Sequence, residues 1–190
     1  MSAAAKGSNM ETDIYEVMGR IESYLDTFDA ILRHGHSVYE SYPPELVVDH
    51  DASAQAHCTY RHILAEAEKV FGDFPEVQHM KIRGQNLWLF KDVDVVCRFK
   101  KTDENGVSAN YQTAQARDFE EGRELPGLPP APTRLTVGYL LDEFGVGYAR
   151  SQVSLPVKMG ALWCAAIVPI AKREAEERPW IEVTRQRRLW

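Results

Sequence analysis

The chain has 190 residues, of which 44% are hydrophobic, 26% charged and 10% aromatic, with a formal net charge of −6. That length is enough for one domain to bury a core without disulfide or metal support. No apolar run approaches the roughly 20 residues of a membrane span, and the acidic balance argues against indiscriminate nucleic-acid binding.

Residues 1–12 lack the apolar core of a secretory signal and read as a flexible N-terminus. A single α+β domain is expected over 13–170, followed by a charged C-terminal tail over 171–190. The spacing of Ile14, Val17, Met18, Ile21, Leu25, Phe28, Ile31 and Leu32 predicts one amphipathic helix over 13–34, with Asp13 and Glu16 as its capping pair. Tyr42-Pro43-Pro44 forces an extended link. A second helix is predicted from Ser53 to Phe71, with Gly72 as its stop.

From Val77 the period changes from helical to alternating. His79–Arg83, Asn86–Lys91 and Val93–Lys101 read as successive antiparallel strands joined at Gly84-Gln85 and at Asp92. Residues 102–133 read as a long functional loop, interrupted by a short helix over Thr113–Glu121. Three more strands are predicted over Arg134–Leu141, Val146–Leu155 and Ala161–Pro169, then a short helix over Lys172–Glu177. Helices followed by strands indicate α+β: N-terminal helices packed on a mainly antiparallel sheet of about six strands. Cys58, Cys97 and Cys164 are odd in number and set among apolar neighbours. They read as buried reduced thiols of a cytoplasmic protein.

The net charge hides an asymmetry. Residues 1–50 carry three cations and nine carboxylates, whereas 79–101 carry six cations against Asp92 and Asp94. Within the second stretch, Arg98 and Lys100 share one face of a strand while Cys97 and Phe99 take the other. Two cations on one face must stay in water, pair with carboxylates or bind an anion. Arginine offers a planar fork for phosphate or carboxylate, and lysine a point charge. Lys101 ends the strand beside them, with solubility as its plainer role. Asn110, Thr113 and Gln115 follow closely and can orient an anion, although Asn and Thr at a loop-to-helix junction are ordinary caps. A helix starting near Thr113 would add free backbone N–H groups. Arg98, Lys100, Lys101, Asn110, Thr113 and Gln115 are therefore the candidate substrate-binding residues.

Histidines His57 and His62 are the candidate general acid–bases, because imidazole titrates near neutrality; packing or capping is the plainer role of each. Asp92-x-Asp94 lacks the upstream glycine-serine signature of nucleotidyltransferases. In nuclease folds a Glu-x-Lys follows the acidic residue, but here Arg98-Phe99-Lys100 occupies that position, so a turn is the better reading. Neither a metal-ligand pattern nor a cofactor motif is read, and no cofactor is expected. Trp88 and Trp163 are assigned to the core, and Gly138 to a close approach within a strand.

Arg98-Phe99-Lys100-Lys101, Asn110-x-x-Thr113-x-Gln115-Ala116-x-x-Phe119, Leu125-Pro126-Gly127, Gly138-Tyr139 and Trp163 occur in an order that resembles a group of small uncharacterised bacterial proteins. The resemblance spans about residues 57–168. Those proteins are encoded beside regulators that join a helix-turn-helix to a zinc-peptidase-like domain. The resemblance implies the effector component of a toxin–antitoxin or phage-defence pair, with the antitoxin-like regulator as partner, and it carries no catalytic assignment. With the cationic strand it suggests action on RNA, DNA or a nucleotide, and metal-independent phosphodiester cleavage suits the residue set. Two alternatives stay open. One is a non-enzymatic module that binds a regulatory partner through the 125–132 loop and first helix; the other is an enzyme acting on a small carboxylate.

Overall fold

The computed structural model describes residues 13–108, 113–158 and 160–184. Helix α1 (Ile14–Arg20) starts at Asp13, whose carboxylate accepts from the N–H groups of Tyr15 and Glu16 at 2.9 and 3.1 Å. A 3₁₀ turn over Glu22–Tyr24 separates it from α2 (Leu25–Glu40), so the single helix expected over 13–34 is two. Hydrophobic spacing misses this break because a 3₁₀ turn also stacks residues i and i+3. Ile21 and Tyr24 accordingly stay buried through it. Pro43 is extended and Pro44 opens a one-turn helix α3 (Pro44–Val47), where a proline costs no hydrogen bond. Helix α4 (Ala52–Phe71) is capped by Asp51 and ends at Gly72.

Among the described residues seven strands form one sheet in chain order: β1 (Val77–Ile82), β2 (Gln85–Phe90), β3 (Val95–Lys101), β4 (Thr133–Leu141), β5 (Tyr148–Val157), β6 (Gly160–Ile167) and β7 (Trp180–Glu182). All neighbours are antiparallel except β3 and β4, which run parallel with Arg98 opposite Thr136. A parallel pair needs a crossover. Residues 102–132 provide it, and they include helix α5 (Ala114–Glu120). The seventh strand lies in the stretch read from sequence as a charged tail. The helix expected over Lys172–Glu177 is instead a 3₁₀ turn at Ile170–Lys172 followed by a turn into β7.

The sheet is covered on both faces. Cys97 and Phe99 join Trp88, Trp163 and the helices α1, α2 and α4 in the main core. Val96 faces the other way, in a smaller cluster with Leu87, Leu89, Phe119 and Leu125. The crossover is thus pinned by Phe119 and Leu125, and its proline-rich loop is built into the fold. Cys97 and Cys164 are buried and Cys58 is half-buried, all three as free thiols. Asp92 and Asp94 lie in the β2–β3 turn, where Asp92 accepts from the Tyr24 hydroxyl at 2.7 Å. Among the described residues no helix is long and apolar enough to cross a membrane.

Close packing of α2 on α4 rests on Gly35. A Cβ there would stand 2.4 Å from Ile63 Cγ1 and 2.8 Å from the Ile63 backbone nitrogen. The backbone contact cannot be relieved by a rotamer change, so the helices must part. Gly35→Ala is expected to lower unfolding free energy by about 1–3 kcal/mol despite alanine's better helix propensity. Urea denaturation measures it, and a stabilised variant would contradict this packing.

Candidate anion-binding site

The site lies on the sheet face covered by the crossover. The β1–β2 hairpin turns through Arg83 and Gly84, with φ of 48° and 81°, between the paired residues Ile82 and Gln85. Two consecutive positive φ values match the tight turn that suits strand twist, in which Asn or Asp usually takes the first place. Here an arginine holds it. The side chain of Gln85 donates to the Gln115 carbonyl at 2.8 Å and so ties the hairpin to α5.

Between hairpin, β3 and α5 lies a cleft of about 520 Å³ whose polar wall comprises Arg83, Gln85, Arg98, Lys100, Thr113 and Gln115. Ser108 also lines it, and among the described residues no acidic side chain does. Four of the sequence candidates, Arg98, Lys100, Thr113 and Gln115, are therefore brought together. Asn110 lies outside the described residues. Sequence reasoning missed Arg83, Gln85 and Ser108. An arginine at a hairpin position that favours Asn or Asp is the one signal that could have found the first of them.

The carboxylates stand behind the cleft, on α5. Asp118 accepts from Arg83 at 2.6 Å and from Arg123 at 3.2 Å. Glu120 accepts from Arg98 Nη2 at 2.8 Å. The Arg98 side chain also donates through Nε to Thr136 Oγ1 at 3.1 Å and lies over the Phe119 ring at 4.5 Å. Arg98 is only 2% exposed, and its Nη1 has no hydrogen-bond partner among the described residues. A buried guanidinium N–H left unmatched costs on the order of 1–3 kcal/mol. Burial lowers the pKa of Arg98, and the pair with Glu120 partly restores it; the group stays a cation.

Lys100 makes no ion pair among the described residues; its Nζ sits 5.3 Å from the centre of the Tyr60 ring. Burial and the adjacent Arg98 bring its pKa down to about 8, against a smaller upward pull from Glu120. Thr113 does cap α5, accepting from the Ala116 N–H at 3.2 Å. That helix has only seven residues, so the cations, rather than its N–H groups, define the cleft's electrostatics.

Histidines separate. His57 is on α4 and lines a second hollow of about 240 Å³ with Ser53, Tyr60, Lys100 and Lys101. His62 is not brought to either space: its Nε2 is 2.6 Å from the Tyr42 hydroxyl, and the rings meet edge to face. Five positions apart on a helix, the two histidines diverge by more than a quarter turn. Lys101 is brought to His57 instead of to Arg98. No group of three or more His, Cys, Asp or Glu among the described residues is arranged to hold a metal ion.

No family profile, curated protein or solved structure matches the chain. Fold and site define an α+β protein with a cationic cleft on the sheet face opposite its main helical layer.

Proposed function

We propose that this chain binds a phosphate-bearing ligand (RNA, DNA or a nucleotide) in the cleft between the β1–β2 hairpin, β3 and α5. On this reading it is the effector of a bacterial toxin–antitoxin or phage-defence pair, held in check by an antitoxin-like regulator. One observation carries the ligand class: Arg98 Nη1 is buried without a partner among the described residues, on a side chain that lines a cleft where Lys100 also stands and no described carboxylate does. An anion there would supply an acceptor that the described residues do not. Arg98 and Arg83 are held in place by Glu120 and Asp118, so little side-chain entropy is lost on binding.

The chemistry suits charge stabilisation at a phosphoryl group. Lys100, poised near neutrality, is the candidate proton carrier beside it, and His57 is within the adjoining hollow.

Inducible expression of the wild type beside Lys100→Gln tests the reading, with melting curves confirming that the variant folds. Growth arrest by the wild type alone, together with phosphate binding that Lys100→Gln weakens about tenfold or more, is the expected result. Absence of arrest and of phosphate binding in the wild type overturns it. Loss of a captured regulator on Lys100→Glu, with fold and growth unchanged, would replace it with a binding module.

A further inference from the structure

The main cleft and the His57 hollow share one wall residue, Lys100. On one side the lysine faces the space bounded by Arg83 and Arg98. On the other it faces His57 and Lys101, with Tyr60 lying beneath it. Among the described residues neither lining contains an aspartate or glutamate. The two spaces are therefore consecutive compartments that take their lysines from the end of strand β3, with His57 of α4 lining the second. A monophosphate seated in one would leave the cations of the other without a counter-charge.

Building on the phosphate-binding reading above, we infer that the ligand carries at least two consecutive phosphates, one seated at Arg98 and the next at His57 and Lys101, with Lys100 bridging them. The alternation of β3 makes this possible. Arg98 and Lys100 lie on the crossover side and Lys101 on the helical side, so the strand's end presents positive charge on both sides of the sheet. A chain of phosphates can pass the strand end and meet cations throughout. Nucleoside polyphosphates and nucleic-acid backbones share this chemistry. Once the first phosphate is seated, the second binds intramolecularly, so the gain in affinity needs no deep second pocket.

Calorimetry on the full chain distinguishes the cases, with inorganic phosphate, tripolyphosphate and a 5′-phosphorylated oligothymidylate as probes. One of the two longer probes is expected to bind about tenfold or more tightly than phosphate, which names the source of the ligand. In the His57→Gln/Lys101→Gln variant that ratio is expected to fall towards one. Lys101→Gln alone gives an intermediate ratio and serves if the double variant is poorly folded. Equal affinity for all three probes overturns the bridging arrangement while leaving phosphate binding intact, and so does a ratio that the variants do not move. No phosphate binding by the wild type overturns both readings together.

Discussion

Arg98→Ala is expected to cost about 3–5 kcal/mol of stability, because it leaves the Glu120 carboxylate buried without its counter-ion. The Glu120 side chain is only 10% exposed and the Arg98 side chain 3%, so water cannot substitute for the lost guanidinium. The stacked Phe119 ring and the Thr136 hydroxyl lose a neighbour at the same time. Adding Glu120→Leu to Arg98→Met removes both charges and replaces them with apolar volume. That pair is expected to recover at least half of the loss. Urea denaturation of the wild type, Arg98→Ala, Arg98→Met and Arg98→Met/Glu120→Leu measures it. An Arg98→Ala loss below about 1 kcal/mol would show that the ion pair is solvated and that Arg98 is an ordinary surface cation. The consequence for function tests is direct. An Arg98 variant that fails to act has first to be shown to fold, whereas Lys100, which has no ion pair to break among the described residues, isolates the anion site.

How far the sequence reveals this arrangement depends on the range over which each feature is encoded. Helix and strand positions are local, and the alternation at Cys97–Lys100 correctly separates core-facing from cleft-facing side chains. The caps at Asp13 and Thr113 are equally local. The parallel pairing of β3 with β4 is not, because it depends on where a 31-residue crossover returns. Strand β7 is three residues long and preceded by charged residues, so its period is too short to register. At the site, local reading finds Arg98 and Lys100 but misses that Glu120, 22 positions away, already holds the arginine. It misses Arg83 and Gln85 as well, because only the fold of α5 against the hairpin brings them to the cleft. His57 and His62 part for a simpler reason: the helix turns one towards Lys100 and the other towards Tyr42.

Lys100→Met is expected to make the protein more stable at pH 7 while weakening anion binding at least tenfold, an estimate in line with the loss of one charge-assisted contact. In an unfolded chain lysine titrates near 10.4, and in the folded protein burial and Arg98 bring Lys100 down to about 8. Below pH 8 the residue is charged in both states, and folding bears the full cost of taking that charge out of water. Between about pH 8 and 10.4 the unfolded chain binds more protons than the folded one, so stability rises with pH through that window. Methionine keeps much of the stem's packing and removes the penalty, worth on the order of 1–3 kcal/mol at pH 7 and fading towards pH 10. Urea titrations across this range measure the difference. The groups around the amine are Arg98 of β3 and Glu120 of α5, with Tyr60 and His57 from α4. An anion in the cleft favours the charged lysine, so sulfate binding should weaken as pH rises through about 8 and should take up a proton there. Calorimetry in buffers of different ionisation enthalpy detects that uptake, which Lys100→Met should abolish. A side chain that costs the fold stability and returns it only when an anion is present is explained by binding. If Lys100→Met proved destabilising at every pH, the residue would be a packing element and the cleft would lose its central cation.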